Sequence, residues 1–308
     1  MLRRWVALVG FGCLLGGCTA ATGTGSAKSP FDYDKSKPLE AKVETPKSIP
    51  GGVELSFTIR GRSEAVPALL CLPKATSKKP PLLVLLHGLG GNKEQTKAIS
   101  AMAVAAGYAT VALDAPLHGE RAAKDGSMMA GDLKVMRERW VDAVVDYRRT
   151  LDYLESRTDV DTTRVVLLGA SMGGMMGALL CGSEERIDAA ALIVAGGDLR
   201  LLAETSKHPI APELKKAIEA VPKTDADTLL NDIDPVQWIG KGRARPLLFV
   251  NGKLDDIVPE KCALALIAAA REPKTVIWDN VGHSVSPTTM PKIYEWLLAN
   301  TPKSNGGE

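Results

Sequence analysis

Nucleophilic chemistry is suggested first by one pentapeptide, Gly169-Ala170-Ser171-Met172-Gly173. The apolar run Val165 to Leu168 precedes it and reads as a strand, and Ser171 to Leu180 reads as a helix. A serine at such a junction sits on a tight strand-to-helix turn, and glycines two before and two after it remove side chains that would clash there. The hydroxyl then faces the crevice at the carboxyl end of a sheet, at a helix N-terminus that favours developing negative charge. The plainer role is a helix N-cap. A serine hydroxyl needs a base, because it is barely ionised at neutral pH. The chain has four histidines: His87, His118, His208 and His283. A strand–Ser–helix turn carries its triad in the chain order Ser, acid, His. Only His208 and His283 follow Ser171, and only His283, in Val281-Gly282-His283-Ser284, also follows a further strand and an acidic candidate. The acid belongs after the strand Leu247 to Val250, where Asp255 and Asp256 compete. Either would hold the imidazole in its working tautomer, and the residues alone leave the choice open. For an oxyanion, the amide after the nucleophile is that of Met172, and a second donor belongs in the loop His87-Gly88-Leu89-Gly90-Gly91-Asn92. Glycines there let the backbone approach a substrate, and His87 is expected to order the loop.

The surrounding elements are those of an α/β protein. Val53 to Arg60 alternates apolar and polar residues, as a half-buried strand does, and Val66 to Leu72 is a second strand. Leu82 to Leu86, Val165 to Leu168, Ala189 to Val194 and Leu247 to Val250 are short continuous apolar runs, which suit a parallel sheet covered on both faces. The clearest helix runs from about Asp132 to Arg157, with Leu133, Met136, Trp140, Val144, Tyr147, Leu151 and Leu154 on one face. Ala98 to Ala106, Lys261 to Ala269 and Pro291 to Leu298 are further helices. Strands alternating with helices imply one doubly wound, mostly parallel sheet. Leu199 to Gly242 exceeds an ordinary crossover and contains the helical piece Pro212 to Val221. It is expected to pack as a short helical insertion over the active site.

The ends read differently. Arg3 and Arg4 precede an uncharged stretch, Trp5 to Gly17, too short to span a bilayer but suited to a signal-peptide core. It closes on Leu15-Gly16-Gly17-Cys18, which resembles a bacterial lipobox, whose cysteine is lipidated and becomes the mature N-terminus. Residues 1–17 are therefore expected to be a signal peptide, and Cys18 a lipid anchor in the bacterial cell envelope. Residues 18–50 are expected to form a flexible tether, 51–300 the folded domain, and 301–308 a disordered tail. Cys71, Cys181 and Cys262 remain, an odd number that leaves at least one free thiol. Cys71 and Cys181 lie in apolar runs and read as buried small hydrophobes. A net charge of +2 with 24% charged residues gives no electrostatic footprint for nucleic acid. No metal cluster, phosphate loop or cofactor motif is visible, so no cofactor and no metal are expected.

His-Gly-x-Gly-Gly, Gly-x-Ser-x-Gly-Gly, Gly-x-x-Asp-x-x-Val-Pro and Gly-His together resemble the α/β-hydrolase superfamily, over about Val53 to Leu298. Asp114-Ala115-Pro116-Leu117-His118-Gly119-Glu120-Arg121, with Asp234-Pro235, is similar to the dienelactone-hydrolase and prolyl-oligopeptidase-like esterase branch. The resemblance implies the α/β-hydrolase fold. Its acid stands three residues after a Gly and four before a Pro, which selects Asp255. The sequence departs from dienelactone hydrolases, whose nucleophile is Cys, and lacks the propeller of prolyl oligopeptidases. The reaction so implied is carboxylic-ester hydrolysis on a small-molecule ester, with Ser171 as nucleophile, His283 as base, Asp255 as its orienter, and the Leu89 and Met172 amides as oxyanion donors. Two other readings use the same chain: a peptidase or amidase with the same triad, and a non-catalytic binding protein of the cell envelope.

Overall fold

The computed structural model describes residues 29–74, 78–123 and 126–304. A ten-stranded mixed sheet forms its spine. Strands β1 (Lys42–Val43), β2 (Lys47–Ile49), β3 (Gly52–Arg60) and β4 (Ala65–Pro73) make an antiparallel edge. β5 (Pro81–Leu86), β6 (Ala109–Leu113), β7 (Asp161–Ala170), β8 (Ile187–Ile193), β9 (Leu247–Gly252) and β10 (Lys274–Asp279) run parallel to one another. The main order is β1-β3-β4-β6-β5-β7-β8-β9-β10. The chain leaves β5 for β6 on one side and then crosses to β7 on the other. The carboxyl ends of β5 and β7 therefore flank a topological switch point, where a doubly wound sheet opens a crevice.

Alternation along each strand feeds two cores. Leu82, Val84 and Leu86 face one layer with α2 (Leu133–Glu155) and α3 (Met172–Ser183). Leu83 and Leu85 face the other, with α1 (Lys97–Ala105) and α9 (Met290–Asn300). Because both faces are covered, these strands are apolar throughout rather than alternating. The periodic helix expected from Asp132 to Arg157 is α2. The Asp132 side chain caps it, accepting from the amides of Lys134 and Val135. Its buried polar atoms are satisfied across the layer: Trp140 Nε1 donates to the Met128 carbonyl and Tyr147 Oη to that of Leu85. Cys71, Cys181 and Cys262 are buried and unpaired.

The tether expected through residue 50 needs correction. From Ser29 onward the chain packs against the body. Phe31 is fully buried and meets Trp238 edge-on at 4.6 Å between ring centroids. Tyr33 Oη donates to Asp152 at 2.6 Å. Arg148 holds the Phe31 carbonyl, and buried Arg149 holds those of Lys37, Pro38 and Arg60. The strap is fixed by single anchors rather than by a repeating apolar face. The signal segment, Cys18 and the last four residues lie outside the described residues. Thr301, expected in the tail, bonds Tyr108 through its hydroxyl. Among the described residues no helix is long and apolar enough to cross a membrane.

Between β8 and β9 lie α4 (Leu199–Thr205), α5 (Ala211–Glu219), α6 (Lys223–Asn231) and α7 (Pro235–Trp238), followed after β9 by α8 (Glu260–Ala269). This is the expected insertion. Asp234 closes it onto the sheet: its carboxylate accepts from the amides of Asp198, Leu199 and Val236. Ile218, Leu230, Ile233 and Trp238 pack inward.

Candidate active site

Ser171 stands between β7 and α3 with φ 55° and ψ −121°. A side-chain-bearing residue held at positive φ costs about 1–3 kcal/mol, and such strain persists only where surroundings over-determine it. Here the Ser171 amide donates to the Ile193 carbonyl of β8, and the Ser171 carbonyl accepts from Met175. Gly169 and Gly173 are required by contact rather than by φ. A Cβ on Gly173 would overlap the carbonyl oxygens of Leu86 and His87, and one on Gly169 would overlap the Gly173 backbone. The turn is thus wedged against the end of β5.

His283 follows β10 on its own loop. Its Nδ1 lies 2.7 Å from Asp255 Oδ2 and its Nε2 lies 2.8 Å from Ser171 Oγ. The donors follow from valence. A carboxylate only accepts, so Nδ1 carries a proton; in the neutral ring Nε2 is then bare, and the Ser171 hydroxyl donates to it. Asp255, buried after β9, is anchored through its other oxygen, which accepts from the amides of Ile257 and Val258 at 2.9 and 2.8 Å. Asp256 faces solvent, 3.5 Å from Lys207. The structure therefore joins Ser171, His283 and Asp255 in one hydrogen-bonded chain and leaves Asp256 outside it. Gly252 is what lets the two loops meet, since a Cβ there would overlap the carbonyls of Val281 and Gly282.

The glycine loop after β5 lies beside Ser171. A Cβ on Gly88 would come within 3.6 Å of the Ser171 Cβ. Two histidines hold this loop. His87 Nε2 accepts from the Ala115 amide, and its Nδ1 donates to the Gly88 carbonyl. His118 Nε2 accepts from the Gly90 amide, and its Nδ1 donates to the Pro116 carbonyl. Each bond pattern requires a neutral ring. Burial depresses the His87 pKa, in keeping with that state. Below them Asp114, fully buried, binds Lys93 through both its ammonium and its amide, and also the Glu120 amide. Burial alone would raise this carboxyl, but the lysine and the amides outweigh it and hold the pKa below its ordinary value. Arg121 spans from the Asp114 carbonyl to Asp146. The segment Asp114 to Arg121 is thus a buttress for the glycine loop. Sequence reading found the segment but not this role, which depends on contacts between distant loops.

A cavity of about 180 Å³ opens onto Ser171, Met172, His283 and Leu89. Its walls include Met129, Met175, Leu202 and Leu214, so the insertion supplies part of it. Two residues absent from the sequence-level site, Ser206 and His208, also line it.

The alpha/beta hydrolase family model matches residues 83–294. This chain belongs to that family. Among solved structures, the chain is similar to an acetyl xylan esterase from Paenibacillus sp. R4, with a TM-score of 0.74 and 20% identity over 86% of this chain and 90% of that one. It is similar also to acetyl xylan esterase 1 from Thermoanaerobacterium sp. JW/SL YS485, with a TM-score of 0.73 and 16% identity over 88% and 90%. These likenesses establish the fold. Among curated proteins, the putative hydrolase YtaP of Bacillus subtilis (strain 168) is 25% identical over 210 residues, 58% of this chain and 69% of that protein. The quorum-quenching protein AidA of Acinetobacter baumannii (strain MDR-ZJ06) is 33% identical over 100 residues, 32% of this chain and 30% of that protein.

Proposed function

We propose that this alpha/beta hydrolase is a serine esterase that cleaves carboxylic esters of short acyl groups through an acyl-enzyme. The observation that carries the reading is the unbroken relay from Ser171 Oγ through His283 to Asp255, opening onto an apolar cavity. Ser171 Oγ attacks the ester carbonyl carbon as its proton passes to His283 Nε2. Asp255 stabilises the imidazolium so formed. The amides of Leu89 and Met172 receive the oxyanion, and the N-terminus of α3 adds a favourable dipole. Collapse of the intermediate breaks the bond to the alcohol, which leaves with the proton from His283. Water, deprotonated by the same imidazole, then attacks the acyl-enzyme and releases the acid and the free serine.

Short acyl groups are favoured by the size of the cavity. About 180 Å³ falls below the roughly 300–1,000 Å³ of pockets that enclose drug-sized ligands. A buried methylene contributes about 0.8 kcal/mol only while a wall remains to receive it. The fold likeness to acetyl xylan esterases is consistent with this. The sequence around Cys18 adds lipid anchoring to the cell envelope as part of the same proposal. The test of acyl length is kcat/KM on p-nitrophenyl esters from two to sixteen carbons. Rates are expected to fall beyond about six carbons, and a rate still climbing past about eight would refute the short-acyl reading.

A further inference from the structure

His208 sits where the acyl cavity meets a second space. A groove of about 550 Å³ adjoins the cavity and shares Leu89, His208 and Ile210 with it. The two differ in character. The cavity is walled mainly by apolar side chains, whereas the groove combines Gly90, Gly91, Asn92, Gly119, Gly126 and Ser127 with apolar residues such as Leu117 and Pro209. Glycines and short polar side chains expose backbone groups that suit a hydroxylated ligand better than an alkyl chain.

The imidazole at this junction is held by the triad's own loop. Ser206 Oγ donates to the Ile257 carbonyl at 2.7 Å and accepts from the His208 amide at 3.0 Å. The Lys207 amide donates to the Asp256 carbonyl at 2.7 Å. The segment from 206 to 208 is therefore latched to the loop that carries Asp255. His208 Nδ1 accepts from the Ile210 amide at 3.1 Å. That bond places the ring proton on Nε2, which has no acceptor among the described residues. This half-buried, positioned donor lies where the two cavities meet, within reach of a ligand oxygen that would take the place of water.

We propose that His208 is a specificity-determining residue, whose Nε2–H donates to an oxygen on the alcohol side of the ester and selects hydroxyl-rich alcohols, such as partly acetylated sugars. The proposal rests on the esterase reading. The acyl group occupies the apolar cavity beside Ser171, and the alcohol lies along the glycine-lined groove past His208. His208 takes no part in proton transfer with Ser171, since His283 occupies the serine hydroxyl.

The test compares kcat/KM of the full-length chain on two acetyl esters, an acetylated methyl xyloside and p-nitrophenyl acetate, whose alcohol carries no further hydroxyl. The readout is the ratio of the two values, which cancels the concentration of folded enzyme. His208→Ala and His208→Phe are expected to lower the sugar-to-nitrophenyl ratio by about three- to tenfold, the range of one net hydrogen bond, and chiefly through KM for the sugar ester. His208→Gln, which restores a donor of similar reach, is expected to recover at least half of the ratio on a logarithmic scale. A ratio unchanged in the Ala and Phe variants would overturn the proposal, as would one that Gln fails to restore. Wild-type protein inert towards both esters would instead overturn the esterase reading, and this proposal with it.

Discussion

Replacing Asp255 by Asn changes one atom, yet its effect can be worked from the bonds it breaks. Asp255 Oδ1 serves the amides of Ile257 and Val258, and Oδ2 serves His283 Nδ1. The asparagine has one acceptor for these two duties. If its oxygen stays with the two amides, its NH₂ faces the Nδ1–H of His283, donor against donor. The imidazole then shifts its proton to Nε2 and no longer accepts from Ser171. If the amide flips, two buried N–H groups lose their acceptor, at about 1–3 kcal/mol each. The side chain is 1% exposed, so water does not relieve either arrangement. The first arrangement is therefore the more stable, and it carries the wrong tautomer. Loss of a triad acid in this way lowers kcat by about 10⁴, roughly 5 kcal/mol of barrier. Asp256→Asn is the matched control. Its side chain is 56% exposed and lies 3.5 Å from the Lys207 ammonium. A surface pair contributes about 0–1 kcal/mol, so turnover is expected to stay within about fivefold. The assay is kcat on p-nitrophenyl acetate, with Tm recorded for both variants. An Asp255→Asn enzyme within tenfold of wild type, or an Asp256→Asn enzyme that is the weaker of the two, would refute this reasoning.

Gly173→Ala is expected to drop Tm by about 6–12 °C, because its Cβ meets backbone carbonyls at the end of β5 that have no room to retreat; overpacking of about 3 kcal/mol at about 2–4 °C per kcal/mol gives that range. Thermal unfolding followed by circular dichroism checks it. Asp114→Asn leaves buried Lys93 with only the exposed Glu120 as counter-ion and is expected to lower Tm by a similar amount. The folded pKa of Asp114 lies below its ordinary 3.8, so its stabilisation is complete above that value and is lost as pH falls through the folded pKa. The Tm gap between wild type and Asp114→Asn should therefore be widest near neutral pH and shrink below about pH 4. Cys18→Ala is expected to leave an unprocessed precursor, whereas the wild-type protein partitions with membranes; mature protein appearing without Cys18 would point to ordinary secretion.

The strands and helices around Ser171 were legible because both faces of the sheet are covered. Burial turns strands such as Leu82 to Leu86 into continuous apolar runs, and the 23-residue helix α2 shows its period plainly. The strap from Ser29 to Pro50 was not legible. It is fixed by Phe31, Tyr33 and the guanidinium groups of Arg148 and Arg149, which leave no periodic trace. That Ser171 and His283 meet was readable from local pattern and chain order. The choice between Asp255 and Asp256 was not a matter of local chemistry. It depends on which carboxylate the turn at Ile257 and Val258 points inward, and that is a property of the folded loop. Ser206 and His208 stayed hidden for a related reason. Their place beside Ser171 and His283 comes from bonds to residues about fifty positions away.

In the proposed mechanism Ser171 is a nucleophile activated by His283. The most direct measurement is labelling of the intact protein by a fluorophosphonate probe, with the modified residue located by peptide mass spectrometry. A single adduct is expected on Ser171, absent in Ser171→Ala and slower to form by several orders of magnitude in His283→Ala. An adduct on another residue, or labelling of Ser171 at an undiminished rate without His283, would contradict it.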